Sequence, residues 1–319
     1  MQKIFLQTLF EQFEPAIRQV YARAVSEAGL DPQTVTLELT ATSWRLGRPE
    51  AEFAALADPR RVAITWNGIA SLWAVAHAVA RVGRVMFEAQ RKLSREDDRR
   101  LMLTDYPDAE TGLLLFILSR NLAKQDFGHW IVGGWAPTPT VQSKTEDDIN
   151  GNAIFLLALD WIIRHELGHL VRKHLDENGR LREDHFRREL EADETATKSI
   201  KGAHAPDPVR PAGARPAAGE LFLESAAMGV FTGVVWISQF ECVPHAESHT
   251  HPAASDRLMK ILDILDLRED SGALEIVSYA IKALIDPQGR WPDGSDQPTA
   301  LDAAREAAIQ LSRFIQSNR

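Results

Sequence analysis

Hydrophobic residues recur along most of the chain at spacings of three and four residues, which is the period of a helix with one face on a core. The N-terminal segment shows this spacing first, at Leu6, Leu9, Phe10, Phe13, Ile17, Val20 and Tyr21. The same period, with helix start and stop signals, predicts helices over residues 68–93, 113–122, 152–174, 183–200, 221–240, 255–267, 272–285 and 299–315. The pattern therefore predicts a mainly helical protein.

Two short segments follow a different period. Residues 34–40 alternate apolar and polar positions and are rich in β-branched side chains, and residues 61–66 are a suitable partner strand. The predicted fold class is therefore mainly α (α+β), with a minor β-sheet. Without an internal repeat or a change of composition between segments, residues 1–319 are predicted to be one domain. Its parts are an N-terminal helix and short strands (1–66), a catalytic helical core (67–267) and C-terminal helices (268–319).

Three further segments bear on topology and location. Residues 202–219 contain four prolines, three glycines and six alanines, which predicts a mobile loop. The apolar run 226–240 is shorter than the ~20 residues needed to cross a bilayer, so a buried helix is the preferred interpretation. The N-terminal apolar stretch is interrupted by Gln7 and followed by Glu11, which is not typical of a signal peptide.

Charge and cysteine content restrict the classes of partner molecule and the cellular compartment that the sequence predicts. The chain of 319 residues has 36 basic and 45 acidic side chains, a net charge of −9, which disfavours nucleic acid and anionic membranes as partners. The single cysteine, Cys242, permits neither an internal disulfide nor a thiolate-only metal site, and we interpret it as a small buried residue. These features predict a cytoplasmic protein.

The strongest chemical signal is a His-Glu-x-x-His motif inside an apolar helix, formed by His165, Glu166 and His169. Four residues of helix turn the chain by ~400°, so both imidazoles leave one face within reach of one zinc ion. Glu166 is then the general base beside the metal. The alternative is a pair of core histidines that are satisfied by neighbouring polar groups.

A catalytic zinc ion usually has a third protein ligand. A histidine six residues after His169 is excluded, because Leu175 occupies that position. His174 would lie ~140° around a continuing helix from His169 and would face away. The next acidic cluster, residues 189–193, lies on the following predicted helix.

Helix geometry distinguishes the acids of that cluster. Glu189 and Asp193 are ~40° apart in projection, whereas Glu191 is ~200° from Glu189. Glu189 is therefore the predicted metal ligand, and Asp193 is predicted to accept the free ring N–H of a ligand histidine. The alternative is that the cluster forms a solvated acidic face.

These motifs resemble those of the gluzincin metalloproteases, and more closely those of the peptidase U49 group of phage-exclusion, Lit-like proteins. The similar segments are residues 68–73, residues 155–169 with 189–193, and the Thr-His-Pro sequence 250–252 followed by Arg257. The resemblance spans about residues 60–265. It implies a zincin-like helical domain in which the His-Glu-x-x-His helix packs on a second ligand helix, with a protein as substrate. It also suggests a role in phage exclusion and a host translation factor as the target.

The resemblance also brings residues 250–257 near the site. His251 and Arg257 then become candidates for stabilising the oxyanion, although helix capping or a salt bridge is an equally good role for them. A second metal site formed by His245, His249 and His251 is a further alternative.

The sequence as a whole predicts a cytoplasmic zinc-dependent endopeptidase. One alternative is a zinc-containing sensor or regulator that does not cleave, and the intact Glu166 disfavours it, because a structural site needs no base. The other alternative is a metallo-hydrolase that acts on a non-peptide bond. The oligomeric state is left open by the sequence.

Overall fold

A computed structural model describes residues 2–44, 46–92, 106–124, 128–132, 134–142, 145–175, 184–204, 218–241, 252–286 and 299–317. The protein is mainly helical with a small amount of sheet, which confirms the predicted fold class. The helices after the N-terminal region are α3 (Trp66–Lys92), α4 (Pro107–Lys124), α5 (Glu146–Val171), α6 (His185–His204), α7 (Ala218–Glu241), α8 (Ala254–Leu265), α9 (Gly272–Ile285) and α10 (Ala300–Ser317). Each corresponds to a helix predicted from the hydrophobic period.

The N-terminal helix is divided in two. A strand β1 (Gln2–Phe5) is followed by α1 (Leu6–Phe10), a 3-10 turn (Glu11–Phe13) and α2 (Glu14–Glu27). Pro15 has no N–H to donate to the carbonyl of Glu11, so a continuous helix is interrupted just before it. The apolar face nevertheless continues across the break, and Phe10, Phe13 and Ile17 are all buried.

The sheets are small. Strand β1 pairs antiparallel with β5 (His129–Val132), and a second sheet contains β2 (Thr36–Thr40), β3 (Phe53–Ala57) and β4 (Arg60–Thr65) in the order β2-β4-β3. The predicted pairing of residues 34–40 with 61–66 is confirmed as the parallel pair β2–β4. Strand β3 pairs antiparallel with β4 and lies at an edge of this sheet. It was not predicted, because its sequence Phe-Ala-Ala-Leu-Ala does not alternate apolar with polar residues.

Helix α5 begins at Glu146, earlier than predicted. The side chain of Thr145 accepts a hydrogen bond from the backbone N–H of Asp148 (3.1 Å), which caps the helix, and three acidic residues occupy its first turn. The helix therefore starts six residues before the predicted position, residue 152. The residues that carry the His-Glu-x-x-His motif lie in the last turns of α5, which is buried along most of its length.

Helix α7 packs directly on the backbone of α5. A Cβ atom at Gly229 would lie 2.4 Å from Cβ of Leu157 and 2.6 Å from its carbonyl carbon. A Cβ atom at Gly233 would lie 2.7 Å from the indole of Trp161. Glycine is therefore required at both positions for the observed distance between the two helices.

An ion network connects exposed side chains of α2 to buried side chains of α5. Arg164 contacts Asp160 (3.0 Å) and Glu27 (2.7 Å), and Arg23 contacts the second oxygen of Asp160 (2.9 Å). Arg164 directly precedes the first motif histidine, and its side chain is only 5% exposed. The N-terminal helix α2 therefore supplies charges that compensate those on the motif helix.

Several predicted features lie at or beyond the limits of the described residues. Of the predicted loop 202–219, residues 202–204 belong to α6 and 218–219 to α7, and the remainder lies outside the described residues. Cys242 also lies outside them.

Among the described residues, two helical segments are long and apolar enough to cross a membrane by length and composition alone. They are Trp66–Met86 in α3 and Leu221–Gln239 in α7, and their apolar windows are 94% and 67% buried inside the protein. Burial of this extent is also found for core helices. The second segment is longer than the run 226–240 that the sequence analysis considered too short to cross a bilayer.

Candidate metal centre

Helices α5 and α6 bring three potential ligand atoms together. The Nε2 atoms of His165 and His169 are 3.1 Å apart, and the carboxylate oxygens of Glu189 lie 3.3 Å from the first and 3.5 Å from the second. All three residues are buried, and among the described residues they form a group that could hold a metal ion. Tetrahedral zinc with bonds of about 2.0–2.1 Å places its ligand atoms about 3.3–3.4 Å apart. The spacing of the two nitrogens and the Glu189 carboxylate is therefore suitable for a metal ion.

Small residues let the two helices approach at this point. A Cβ atom at Gly168 would be in ordinary contact with Ala192, 3.4 Å from its Cα atom, and Ala192 and Ala196 are fully buried. The carboxylate of Glu189 consequently reaches the histidines of α5 from the neighbouring helix.

The other ring nitrogen of His165 is bonded to a buried carboxylate. Its Nδ1 lies 2.9 Å from Oδ1 of Asp193. Each oxygen of the Asp193 carboxylate accepts one hydrogen bond of 2.7 Å from Arg257. Asp193 is fully buried and Arg257 is 3% exposed. A carboxylate at Nδ1 holds the proton on that nitrogen, so the lone pair of Nε2 faces the other ligand atoms.

The same contacts bear on the predicted role of Arg257. Its guanidinium forms a two-pronged salt bridge with Asp193 and lies 5.9 Å from the ring centroid of Trp161. This contact corresponds to the salt-bridging alternative for Arg257, and the oxyanion role stays a prediction. Arg257 is connected to the centre through Asp193 and His165.

His169 is hydrogen-bonded to His174, which was predicted to face away from it. Its Nδ1 lies 3.1 Å from Nδ1 of His174, and Nε2 of His174 lies 3.1 Å from Oε2 of Glu191. The expectation that His174 faces away from His169 is wrong, because α5 ends at Val171 and the helical projection does not extend to residue 174. Glu191 belongs to the same series of hydrogen bonds, although the helical projection placed it away from the ligands.

A left-handed residue produces this reversal of the chain. Lys173 has φ 55°, its N–H donates to the carbonyl of Leu170 (3.3 Å), and the N–H of His174 donates to the carbonyl of His169 (2.9 Å). These two bonds form the Schellman motif that ends many helices. Glycine is usual at the left-handed position, so the lysine gives no sequence signal for this end.

The electrostatic environment favours positive charge between the ligand atoms. Burial lowers the pKa of His165, but hydrogen bonds to Asp193 and Glu189 outweigh burial and raise it to about 10. Burial and the charge of His165 lower the pKa of His169 to about 3. Burial raises the pKa of Asp193, but the charge of Arg257 outweighs it and the net direction is downward. The site therefore favours one positive charge on the histidine pair, at His165 rather than at His169.

Glu166 occupies the boundary between α5 and the sheet. Its Oε2 accepts a hydrogen bond of 2.7 Å from the backbone N–H of Ala55 in the edge strand β3. Glu166 is less buried than either motif histidine beside it. The unpredicted strand β3 thus orients one oxygen of the carboxylate that is expected to act as base.

The remaining predicted residues cannot be placed. His251, and with it the alternative metal site of His245, His249 and His251, lies outside the described residues. The structure therefore brings together His165, His169, Glu189, Asp193 and Arg257, with Glu166 at their margin.

A buried His₂Glu group of this geometry defines a candidate metallohydrolase centre. The chain belongs to the Peptidase U49 family, because the sequence model of that family, Peptidase U49, matches residues 62–280, which is most of the chain. The protein is therefore a peptidase, with a protein substrate. No curated protein and no solved structure matches the chain.

Proposed function

We propose that the protein is a zinc-dependent endopeptidase of the gluzincin type. The observation that carries this proposal is the close approach of two imidazole nitrogens, 3.1 Å apart, to the two oxygens of the Glu189 carboxylate, which lie 3.3 Å from His165 and 3.5 Å from His169. Two histidines and a glutamate are the ligand set of one class of catalytic zinc sites, in which the fourth position is left to water or substrate. Two imidazole nitrogens with one carboxylate suit zinc better than magnesium or calcium, which prefer oxygen ligands.

The proposed chemistry is hydrolysis of a peptide bond. A bound zinc ion would supply a Lewis acid that polarises the carbonyl and lowers the pKa of the attacking water. Glu166 takes a proton from that water and later donates it to the leaving amine. The N–H of Ala55 holds one oxygen of Glu166 and so orients the carboxylate that carries out the proton transfers.

The proposed biological role is the one that the family resemblance suggests. The enzyme acts in the cytoplasm, in phage exclusion, and its substrate is a host translation factor. Membership of a peptidase family favours peptide-bond hydrolysis over the two alternatives, a non-peptide metallo-hydrolase and a non-cleaving regulator.

The test compares the wild type with Glu166→Gln. Both proteins are expected to hold about one zinc ion per chain, since Glu166 is a base and not a ligand, and turnover should fall by about 10²–10⁴-fold. Zinc is measured by elemental analysis, and cleavage by a search for new peptide termini in cells that express each protein. Glu14→Gln, which changes an exposed ion pair on α2, is the matched control and should cleave normally. Equal cleavage by Glu166→Gln and wild type would contradict the mechanism.

A further inference from the structure

His174 lies directly behind one of the two candidate ligand histidines. We propose that His174 is a positioning residue for His169, which fixes the tautomer of His169 so that its Nε2 atom faces the metal. Glu191 completes the arrangement by fixing the tautomer of His174. This inference rests on the proposed function, since it assumes that His169 binds a metal ion.

The hydrogen bonds leave one consistent placement of protons. If Nε2 of His169 is a ligand, its Nδ1 carries the proton and donates to Nδ1 of His174, 3.1 Å away. His174 must then carry its own proton on Nε2, which donates to the carboxylate of Glu191, 3.1 Å away. Exchanging the tautomer of His174 would place two N–H groups against each other at Nδ1 and would leave the Glu191 carboxylate facing a lone pair.

Backbone geometry holds His174 in this place. The left-handed conformation of Lys173 and the bond from the N–H of His174 to the carbonyl of His169 fold the chain back over the end of α5. The His174 side chain is 2% exposed, whereas that of Glu191 is 28% exposed. Water therefore competes little for the inner hydrogen bond and more for the outer one, so His174 should matter more than Glu191.

The two ligand histidines are thus oriented by different chemistry. His165 donates to an anion, Asp193, whose charge is balanced by Arg257. His169 donates to a neutral imidazole, and the nearest carboxylate in that series is one residue further out. Loss of the residue that accepts the ring N–H of a ligand histidine, here Asp193 or His174, typically lowers metal affinity by about 10–100-fold.

Two substitutions at residue 174 distinguish the effect of the hydrogen-bond acceptor from the effect of side-chain volume. The side chain of His174→Asn can place an acceptor near the position of Nδ1, whereas that of His174→Gln places its polar atoms near Nε2 and leaves Nδ1 of His169 without an acceptor. We expect His174→Gln to weaken zinc binding by about 10–100-fold, and His174→Asn to bind within about threefold of wild type. Zinc affinity is measured by competition with a chromophoric chelator, and thermal unfolding with chelator present shows whether each variant folds.

A second measurement needs no variant. Long-range ¹H–¹⁵N spectra of the zinc-loaded wild type, with labelled histidine, should show His169 protonated at Nδ1 and His174 protonated at Nε2. A doubly protonated His174, or one protonated at Nδ1, would overturn the proposal. Equal zinc affinity of wild type, His174→Asn and His174→Gln would also overturn it.

The outcomes distinguish this inference from the proposed function. A wild-type protein that binds no zinc would refute the metal centre itself. A wild type that binds zinc through Nδ1 of His169, or without any dependence on residue 174, would refute only the positioning role.

Discussion

Helix α5 has two long sides that are packed in opposite ways. Towards α6 and α8, its neighbours are buried polar groups with specific partners, of which the series His165, Asp193 and Arg257 is the clearest. Towards α7, two glycines allow backbone to lie against backbone, and the contacts are apolar. The first side depends on which functional group is present, and the second depends only on volume.

This difference indicates how one helix can both carry candidate metal ligands and form part of the hydrophobic core. Polar groups that are buried must be paired, so the site side tolerates few changes of chemistry. On the α7 side, the close contacts of Gly229 and Gly233 are with Leu157 and Trp161. Substitutions that keep size but change chemistry should damage the first side, and substitutions that add a methyl group should damage the second.

The largest effect is expected on the site side, from Glu189→Ala. Removal of a ligand should lower zinc affinity by more than the ~100-fold upper range for an outer partner and should abolish cleavage. Glu191→Ala, two residues away on the same helix, is the matched control and should keep its metal with a loss of affinity below about tenfold. Elemental analysis and chelator competition measure both, and a metal-free Glu191→Ala beside a loaded Glu189→Ala would reverse the assignment.

The second prediction concerns a contact between α3 and α5 that combines close approach to a glycine with a buried hydrogen bond. The ring of His77 on α3 lies against Gly151, where a Cβ atom would be 2.6 Å from the imidazole, and its Nε2 lies 3.1 Å from Oδ1 of Asn152. Burial lowers the pKa of His77 from 6.5 to about 4; the hydrogen bond to Asn152 opposes the shift. The charge of Arg81 on α3 also lowers this pKa, and the charges on two α5 carboxylates, Asp147 and Asp148, oppose it.

The sign of the pH dependence follows from these values. Unfolded chains bind a proton at His77 below pH 6.5, and the folded protein does so only below about pH 4. The free energy of unfolding should therefore fall as pH is lowered through this window, by about 3 kcal/mol in total. Urea unfolding of wild type and His77→Gln from pH 7 to pH 4, at one zinc concentration, isolates this contribution. Parallel curves for the two proteins would contradict it.

The smallest effect is expected on the α7 side. Gly229→Ala should lower the free energy of unfolding by about 1–3 kcal/mol, because backbone atoms of Leu157 cannot move aside as a flexible side chain could. Gly202→Ala, in the last turn of α6, is the control. Nothing lies within 4 Å of its Cβ position, so it should leave stability unchanged or raise it by up to about 1 kcal/mol. Thermal unfolding measures both, and equal losses would show that the closeness of α7 is not the cause.

The sequence was sufficient for the parts of the site that follow helix geometry. His165 and His169 share a face because they are four residues apart, and Glu189 and Asp193 repeat that spacing on the next helix. Their meeting also needed small residues at the helix contact, and Ala192 and Ala196 were visible in the sequence. The same regularity explains why the helices were predicted well.

The missed features depend on breaks in that regularity. His174 reaches His169 because Lys173 takes a left-handed conformation for which a lysine gives no signal. Strand β3, which binds Glu166 through Ala55, lacks alternation because Ala54, Ala55 and Leu56 are all buried. Long-range packing determines both features, and no local period records them.

The ion network between α2 and α5 has a consequence for what counts as a unit of this protein. The family match begins at residue 62, yet Arg23 and Glu27, which neutralise the charges of Asp160 and Arg164 on the motif helix, lie before it. Strand β2, which pairs with β4, also precedes the matched segment. A chain trimmed to the matched residues would expose a charged face of the motif helix next to its first histidine. The segment that matches the family is therefore shorter than the segment whose side chains and strands pair with the motif helix and its sheet.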